Sequence, residues 1–162
     1  MITHRNATLR DISTLQKLSG EIWHLYYPGI ISKTQIDYML GEMYNYATLS
    51  KEIRSGYYWV LLEYEKKVVG YMSCSMVDES TCKLHKLYIY PDYQGKGIGR
   101  RAMELAIDFA RRKEAREISL NVNRKNINSI QKYIAMGFSI DHEEDNYLGN
   151  YLLDDYVMSQ RV

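Results

Sequence analysis

The sequence predicts an α/β fold: a mixed sheet of about seven strands with about four helices packed on it. Three observations predict it. Short runs rich in branched and aromatic residues interleave with longer segments whose apolar residues recur at helical spacing. Pro28-Gly29, Lys66-Lys67 and Pro91 punctuate those segments as turns or breaks. And one strand passes through a short loop into alternating glycines that open a helix, from Leu87 to Arg100.

Taken in order, Ile2-Thr3-His4-Arg5 forms a short first strand. Asp11 or Ser13 offers a cap for a helix carrying Ile12, Leu15, Leu18, Ile22 and Leu25 on one face, which Pro28-Gly29 ends. Ser32 starts a second helix, with Ile36, Met39, Leu40 and Met43 together. Tyr57 to Glu63 reads as a strand, Lys66-Lys67 turns the chain, and Val68 to Val77 is its antiparallel neighbour. Lys83 to Tyr90 is the next strand, stopped by Pro91.

From Gly97 to about Lys113 the pattern is helical. Ile98, Ala102, Leu105, Ala106 and Phe109 share a face that leaves Arg101, Glu104, Asp108 and Arg112 outside. Glu117 to Val122 alternates as a strand. Asn126 to Met136 forms a helix ended by Gly137, where a positive φ is cheap. Two strands close the chain, near Phe138–His142 and Tyr151–Ser159. No repeat, low-complexity stretch or linker interrupts this order, so residues 1–162 are expected to form a single domain.

Composition narrows the function classes. Hydrophobic residues at 46% and charged residues at 25% balance as in a soluble globular chain. With 21 Lys+Arg against 20 Asp+Glu the net charge is +1, so no electrostatic surplus points to nucleic acid or an anionic membrane. Met1 to Arg5 lacks the apolar core of a signal peptide, and the longest apolar run, Tyr57 to Leu62, is too short to span a bilayer. A cytoplasmic protein is expected, its two cysteines, Cys74 and Cys82, reduced and close across a hairpin. The spacing of His and Cys offers no metal motif. The 16 tyrosines against 2 phenylalanines suggest rings half-buried or lining a polar cleft.

The most informative segment runs through Gln94-Gly95-Lys96-Gly97-Ile98-Gly99-Arg100. Glycines let backbone N–H groups approach a ligand, and the helix start adds unpaired N–H groups and the positive end of a dipole. Such a turn cradles a phosphate or pyrophosphate, with Lys96 and Arg100 adding charge. It is not a Walker A loop, whose glycine spacing and hydroxyl it lacks, nor a dinucleotide fingerprint, which has Gly-x-Gly-x-x-Gly near the first strand. Instead Gln94, Gly97 and Gly99 fit Gln/Arg-x-x-Gly-x-Gly, and so resemble the pyrophosphate loop of the GNAT acetyltransferases. Downstream, Asn126-x-x-Ser129-x-x-x-Tyr133-x-x-x-Gly137-Phe138 is similar to the same family's Asn-x-x-Ala-x-x-x-Tyr-x-x-x-Gly-Phe segment, with serine for alanine.

The resemblance implies a mostly antiparallel sheet in which two parallel strands splay to admit the pantetheine arm of acetyl-CoA. Leu87, Tyr88 and Ile89 would offer backbone groups to that arm and to the acetyl carbonyl. Gln94, Gly95, Lys96, Gly97, Ile98, Gly99 and Arg100 would hold the pyrophosphate, and Asn126 would touch the arm from the opposite side. Tyr133 falls where the family places a hydroxyl against the cofactor sulfur, able to protonate the leaving thiolate. His85 occupies the position where many members carry a basic glutamate; Glu63 and water chains are alternatives to it.

The expected activity is acetyl transfer from acetyl-CoA to a primary amine of a small molecule in a ternary complex. A protein or peptide amine, or a CoA-binding module without turnover, stand as alternatives. The acceptor would enter among Trp23, Tyr26, Tyr27, Tyr38, Tyr147 and Tyr151, with Glu42, Glu143, Glu144, Asp145, Asp154 and Asp155 nearby in sequence. A homodimer is a family-level expectation.

Overall fold

A computed structural model describes residues 1–162. Strand β1 (Ile2–Asn6) leads through a 3-10 turn to helices α1 (Ile12–Tyr26), α2 (Lys33–Met43) and α3 (Tyr46–Arg54). Strands β2 (Tyr58–Tyr64), β3 (Lys67–Met76) and β4 (Thr81–Ile89) follow. Helix α4 (Ile98–Arg112), β5 (Glu117–Asn123), α5 (Ile127–Ala135), β6 (Ser139–Leu148) and β7 (Tyr151–Arg161) complete the chain. All seven strands join one sheet in the order β1-β2-β3-β4-β5-β7-β6. Only the β4–β5 pair is parallel. No helix is long and apolar enough to cross a membrane.

Helices cover both faces. The predicted stripe of α4 is buried as expected, Ile98 and Ala102 to 1% and 0% exposure, and packs on one face with Cys82, Leu84, Ile118 and Leu120. Burying an isoleucine this fully is worth about 1.5–3 kcal/mol. Helices α1 to α3 pack on the other face, around Leu15, Ile22, Trp23, Leu49, Trp59 and Tyr71. Both cysteines are free thiols, buried on the β3–β4 hairpin.

Three local expectations are corrected. There are five helices, the unforeseen one being α3. It carries only Leu49 and Ile53 as aliphatic anchors, too few to show a stripe, and starts because Asn45 Oδ1 accepts the Thr48 N–H at 2.8 Å. The β2–β3 turn sits one residue earlier than read, with Glu65 and Lys66 both left-handed at φ 50° and 67°, the backbone a two-residue hairpin turn demands. Strand β6 continues through the acidic stretch to Leu148. Its residues are mostly exposed at the sheet edge, so no alternation marks it; Arg124 bonds Glu143 at 2.8 Å and Asp145 at 2.6 Å, tying it down.

Candidate active site

The site begins as a defect in the sheet. β4 and β5 share a ladder only from Thr81↔Glu117 to Leu84↔Leu120. Beyond it β4 stays with β3 and β5 stays with β7, so the strands part. A bulge explains where. The β3–β4 register steps from Cys74↔Leu84 to Ser73↔Lys86 and leaves His85 without a partner. One extra residue inverts the facing of everything after it. Cys82 and Leu84 point to the α4 side, and beyond the bulge it is Leu87 and Ile89 that pack there, while Tyr88 joins the α1 side.

The opening is a cleft of about 630 Å³. Tyr90 donates its N–H to Val69 O at 2.9 Å, and Tyr88 pairs with Tyr71 two residues on. By the alternation of an antiparallel ladder, Tyr88 spends its backbone groups on β3, whereas Leu87 and Ile89 turn theirs to the open side. Of the three expected backbone contributors, Tyr88 therefore reaches the cleft with its ring instead.

The glycine turn closes one end. Gly95 and Gly97 hold φ of 78° and 86°, and Gly97 is the N-cap of α4. None of the backbone N–H groups from Gly95 to Arg100 donates to any protein atom; the next, Arg101, bonds Gly97 O at 3.0 Å. A consecutive run of free amides at a helix start is a ready anion site. Gln94 contributes differently: its N–H is spent on Pro91 O at 3.2 Å and its Oε1 accepts from Lys132 at 3.0 Å. Two side chains of the turn face elsewhere. Ile98 is core, and the Lys96 ammonium lies over the Tyr64 ring, 5.5 Å from its centroid. The cations bordering this end of the cleft are Arg100 and Lys132. Lys132 was missed because nothing in a helical sequence shows that its side chain spans to the loop opposite.

Tyr133 projects from α5 into the cleft, its ring edge-on to Phe138 at 5.9 Å. Its hydroxyl has no hydrogen-bond partner in the protein, and burial pushes its pKa up, keeping it a protonated donor. Asn126 caps α5 weakly, accepting the Ser129 N–H at 3.4 Å, and donates to the Tyr26 hydroxyl at 2.9 Å. Tyr26 also bonds Ser129, so the end of α1 is tied to the start of α5 across the opening.

On the far wall His85 Nε2 bonds Ser75 Oγ at 2.7 Å and its ring stacks on Tyr57 at 5.0 Å. Burial, aided by Lys86 and Lys83, pushes its pKa down to about 4, so at neutral pH the ring is uncharged. Glu63, the alternative base, pairs with Thr3 at the β1–β2 edge, and its hydroxyl contact is 3.4 Å. Of the residues expected around the acceptor, Trp23, Tyr26, Tyr27 and Asp155 line the cleft. Burial pushes the Asp155 carboxyl above the usual range, with Asp154 and Glu144 adding to the rise. Tyr27 and Tyr88 bond hydroxyl to hydroxyl at 2.8 Å. Tyr147 is 71% exposed, and Glu143 and Asp145 are engaged by Arg124. No cluster of His, Cys, Asp or Glu suited to a metal occurs.

Comparison with known proteins gives a concordant result. The acetyltransferase (GNAT) family model matches residues 20–138. A spermidine N(1)-acetyltransferase of Thermoplasma acidophilum is 25% identical over 162 residues, spanning 97% of this chain and 95% of the relative. Among solved structures, the PaiA N-acetyltransferase of the same organism in complex with coenzyme A superposes with a TM-score of 0.86 at 24% identity, over 100% of this chain and 99% of that one. YncA of Salmonella typhimurium with acetyl-CoA gives 0.68 at 22% identity, over 99% and 93%. At these identities the structures show the shared fold.

Proposed function

Because the chain belongs to the GNAT acetyltransferase family and is an N-acetyltransferase, we propose that it moves the acetyl group of acetyl-CoA to a primary amine of a small molecule, by direct attack in a ternary complex. The observation that carries the proposal is the pairing of free amides from Gly95 to Arg100 at one end of the cleft with an unpartnered, protonated Tyr133 further along it.

Acetyl-CoA supplies a thioester, activated for acyl transfer. Each of its parts meets suitable residues here: amides and Arg100 for the diphosphate, the open edge of β4 for the amide-bearing arm, Tyr133 for the sulfur. Backbone N–H donation from the Leu87–Ile89 edge polarises the acetyl carbonyl and stabilises charge developing on its oxygen. Tyr133 gives its proton to the departing sulfur. Both cysteines are fully buried, so the cleft holds no thiol to carry the acetyl group covalently.

An ordinary alkylammonium has a pKa of about 10.4 and must lose its proton before attack. His85 is the proposed proton acceptor, uncharged and able to accept throughout the neutral range. A pKa near 4 makes it a weak one, so the incoming amine must also be made more acidic. Lys83 and Lys86 border the same cleft and oppose a further cation there, which has that effect.

A small acceptor is favoured over a peptide by a contact that ties α2 to the β6–β7 hairpin, two elements whose Gln35, Met39, Asn146 and Leu153 line the cleft. Tyr38 of α2 lies against Tyr151 of β7, ring centroids 5.3 Å apart, and its hydroxyl occupies the space a Cβ at Gly149 would need. The test is release of free CoA thiol with short primary amines and with peptide N-termini, in wild type and Tyr133→Phe. Turnover of the small amines is expected, falling roughly 10²-fold in Tyr133→Phe with acetyl-CoA affinity unchanged. Exclusive use of peptides would refute the acceptor class, and undiminished turnover would remove Tyr133 from the chemistry.

A further inference from the structure

Lys86 is an ammonium without a counterion. It follows the bulged His85 on β4, borders the cleft, and is only 7% exposed. It takes part in none of the ion pairs of the protein. The rings of Tyr44 and Trp59, 5.5 Å and 5.4 Å from Nζ, stabilise its charge without accepting a hydrogen bond. Burial pushes its pKa down from the ordinary lysine value, with Lys83 adding to the fall, and Glu52 opposes this from a distance, its Oε1 held by Trp59 Nε1 at 3.0 Å. Directly across the ladder, Ser73 sits between Trp59 and Lys86, and Ser73 Oγ is the one buried side-chain polar atom with no partner. One cross-strand row thus holds an unpartnered serine hydroxyl beside an amino group that meets only aromatic rings and the cleft. A buried charge in that condition is costly unless something completes it.

We propose that what completes it is an anionic group of the acceptor: the substrate is an amine that also carries a carboxylate, and Lys86 is the residue that selects it. The inference rests on the small-molecule reading above. Charge on the cleft wall agrees with it. Lys83 and Lys86 stand on β4 and Asp155 on β7, so a zwitterion finds a partner for each end where a diamine would meet two like charges. Lys86 touches substrate in this scheme but takes no part in bond making.

Three acceptors of one length separate the possibilities: 5-aminopentanoate, pentylamine and 1,5-diaminopentane, with L-methionine as an α-amino acid. Initial rates of CoA release give kcat/KM for each in wild type, Lys86→Met and Lys86→Arg. The best carboxylated amine is expected to exceed pentylamine by tenfold or more in wild type. In Lys86→Met that preference should collapse through KM, any change in kcat falling alike on carboxylated and plain amines, and Lys86→Arg should restore most of it. Methionine fills the buried site without a charge, so the variant is expected to fold, and its melting temperature checks this. Preference for pentylamine or the diamine overturns the assignment while leaving the small-molecule reading intact, as does equal loss on every amine in Lys86→Met. Turnover of none of the four by wild type overturns the small-molecule reading, and the selection by Lys86 with it.

Discussion

Lys96 and Lys132 show how a residue's role depends on where its chain can reach. Lys96 stands inside the glycine motif, yet its ammonium sits over Tyr64; Lys132 stands outside the motif and crosses to Gln94. The Gln94 oxygen is neutral, and a phosphate oxygen is a stronger acceptor for the same ammonium. Lys132→Met should therefore weaken acetyl-CoA binding roughly tenfold and flatten its salt dependence, whereas Lys96→Met should change it less than about twofold. Calorimetric titration at two ionic strengths checks both, and the reverse ranking would return the phosphate contact to Lys96. His85 carries a second residue-scale consequence. Its folded pKa near 4 lies below the value of about 6.5 expected of the unfolded chain, so between them the unfolded state binds the proton. That contribution to stability is complete above about pH 6.5 and drains away as pH falls towards 4. His85→Gln, which retains a partner for Ser75, should lose melting temperature less steeply over that interval than wild type does. Identical slopes would mean that His85 is not held neutral by burial.

Elements were legible in the sequence wherever one face is buried and the other wet. The α4 stripe of Ile98, Ala102, Leu105, Ala106 and Phe109 is core, because such a face writes its period into the residues. Helix α3 and the outer half of β6 were not legible for the opposite reason. Leu49 and Ile53 are too few to repeat, and β6 is mostly exposed, so hydrogen bonding and Arg124 hold what patterning does not announce. The bulge at His85 escaped too, since an extra residue shows only when the partner strand is known. The α2 contact with the β6–β7 hairpin is an element-scale device of the same hidden kind. Gly149, at φ 59°, leaves the room that the Tyr38 hydroxyl fills. Tyr38→Ala should raise the rate on short peptide amines relative to small ones several-fold. A ratio that does not move would show that the contact does not limit acceptor size.

Across the whole molecule, function follows from a sheet that joins all seven strands yet is open in the middle. Four residue pairs, Thr81↔Glu117 to Leu84↔Leu120, are all the ladder that joins β1–β4 to β5–β7. Past them the bulge diverts β4, and α4 and α5 come to stand on either side of the gap with the glycine turn at its mouth. The two motifs were readable because their residues must be particular ones: glycine where φ is positive, tyrosine where a hydroxyl must reach inwards. The acceptor side was less readable because its walls come from α1, α2, β4 and β7, and no single stretch of sequence contains them. All of it depends on free amides at the start of α4 receiving the diphosphate of coenzyme A. A proton–nitrogen correlation spectrum recorded during titration with coenzyme A tests that most directly. The amides from Gly95 to Arg100 should shift together and saturate with a single affinity, and the Gln94 amide, already bonded to Pro91, should move less. Unmoved resonances at those positions, under saturating coenzyme A, would contradict it.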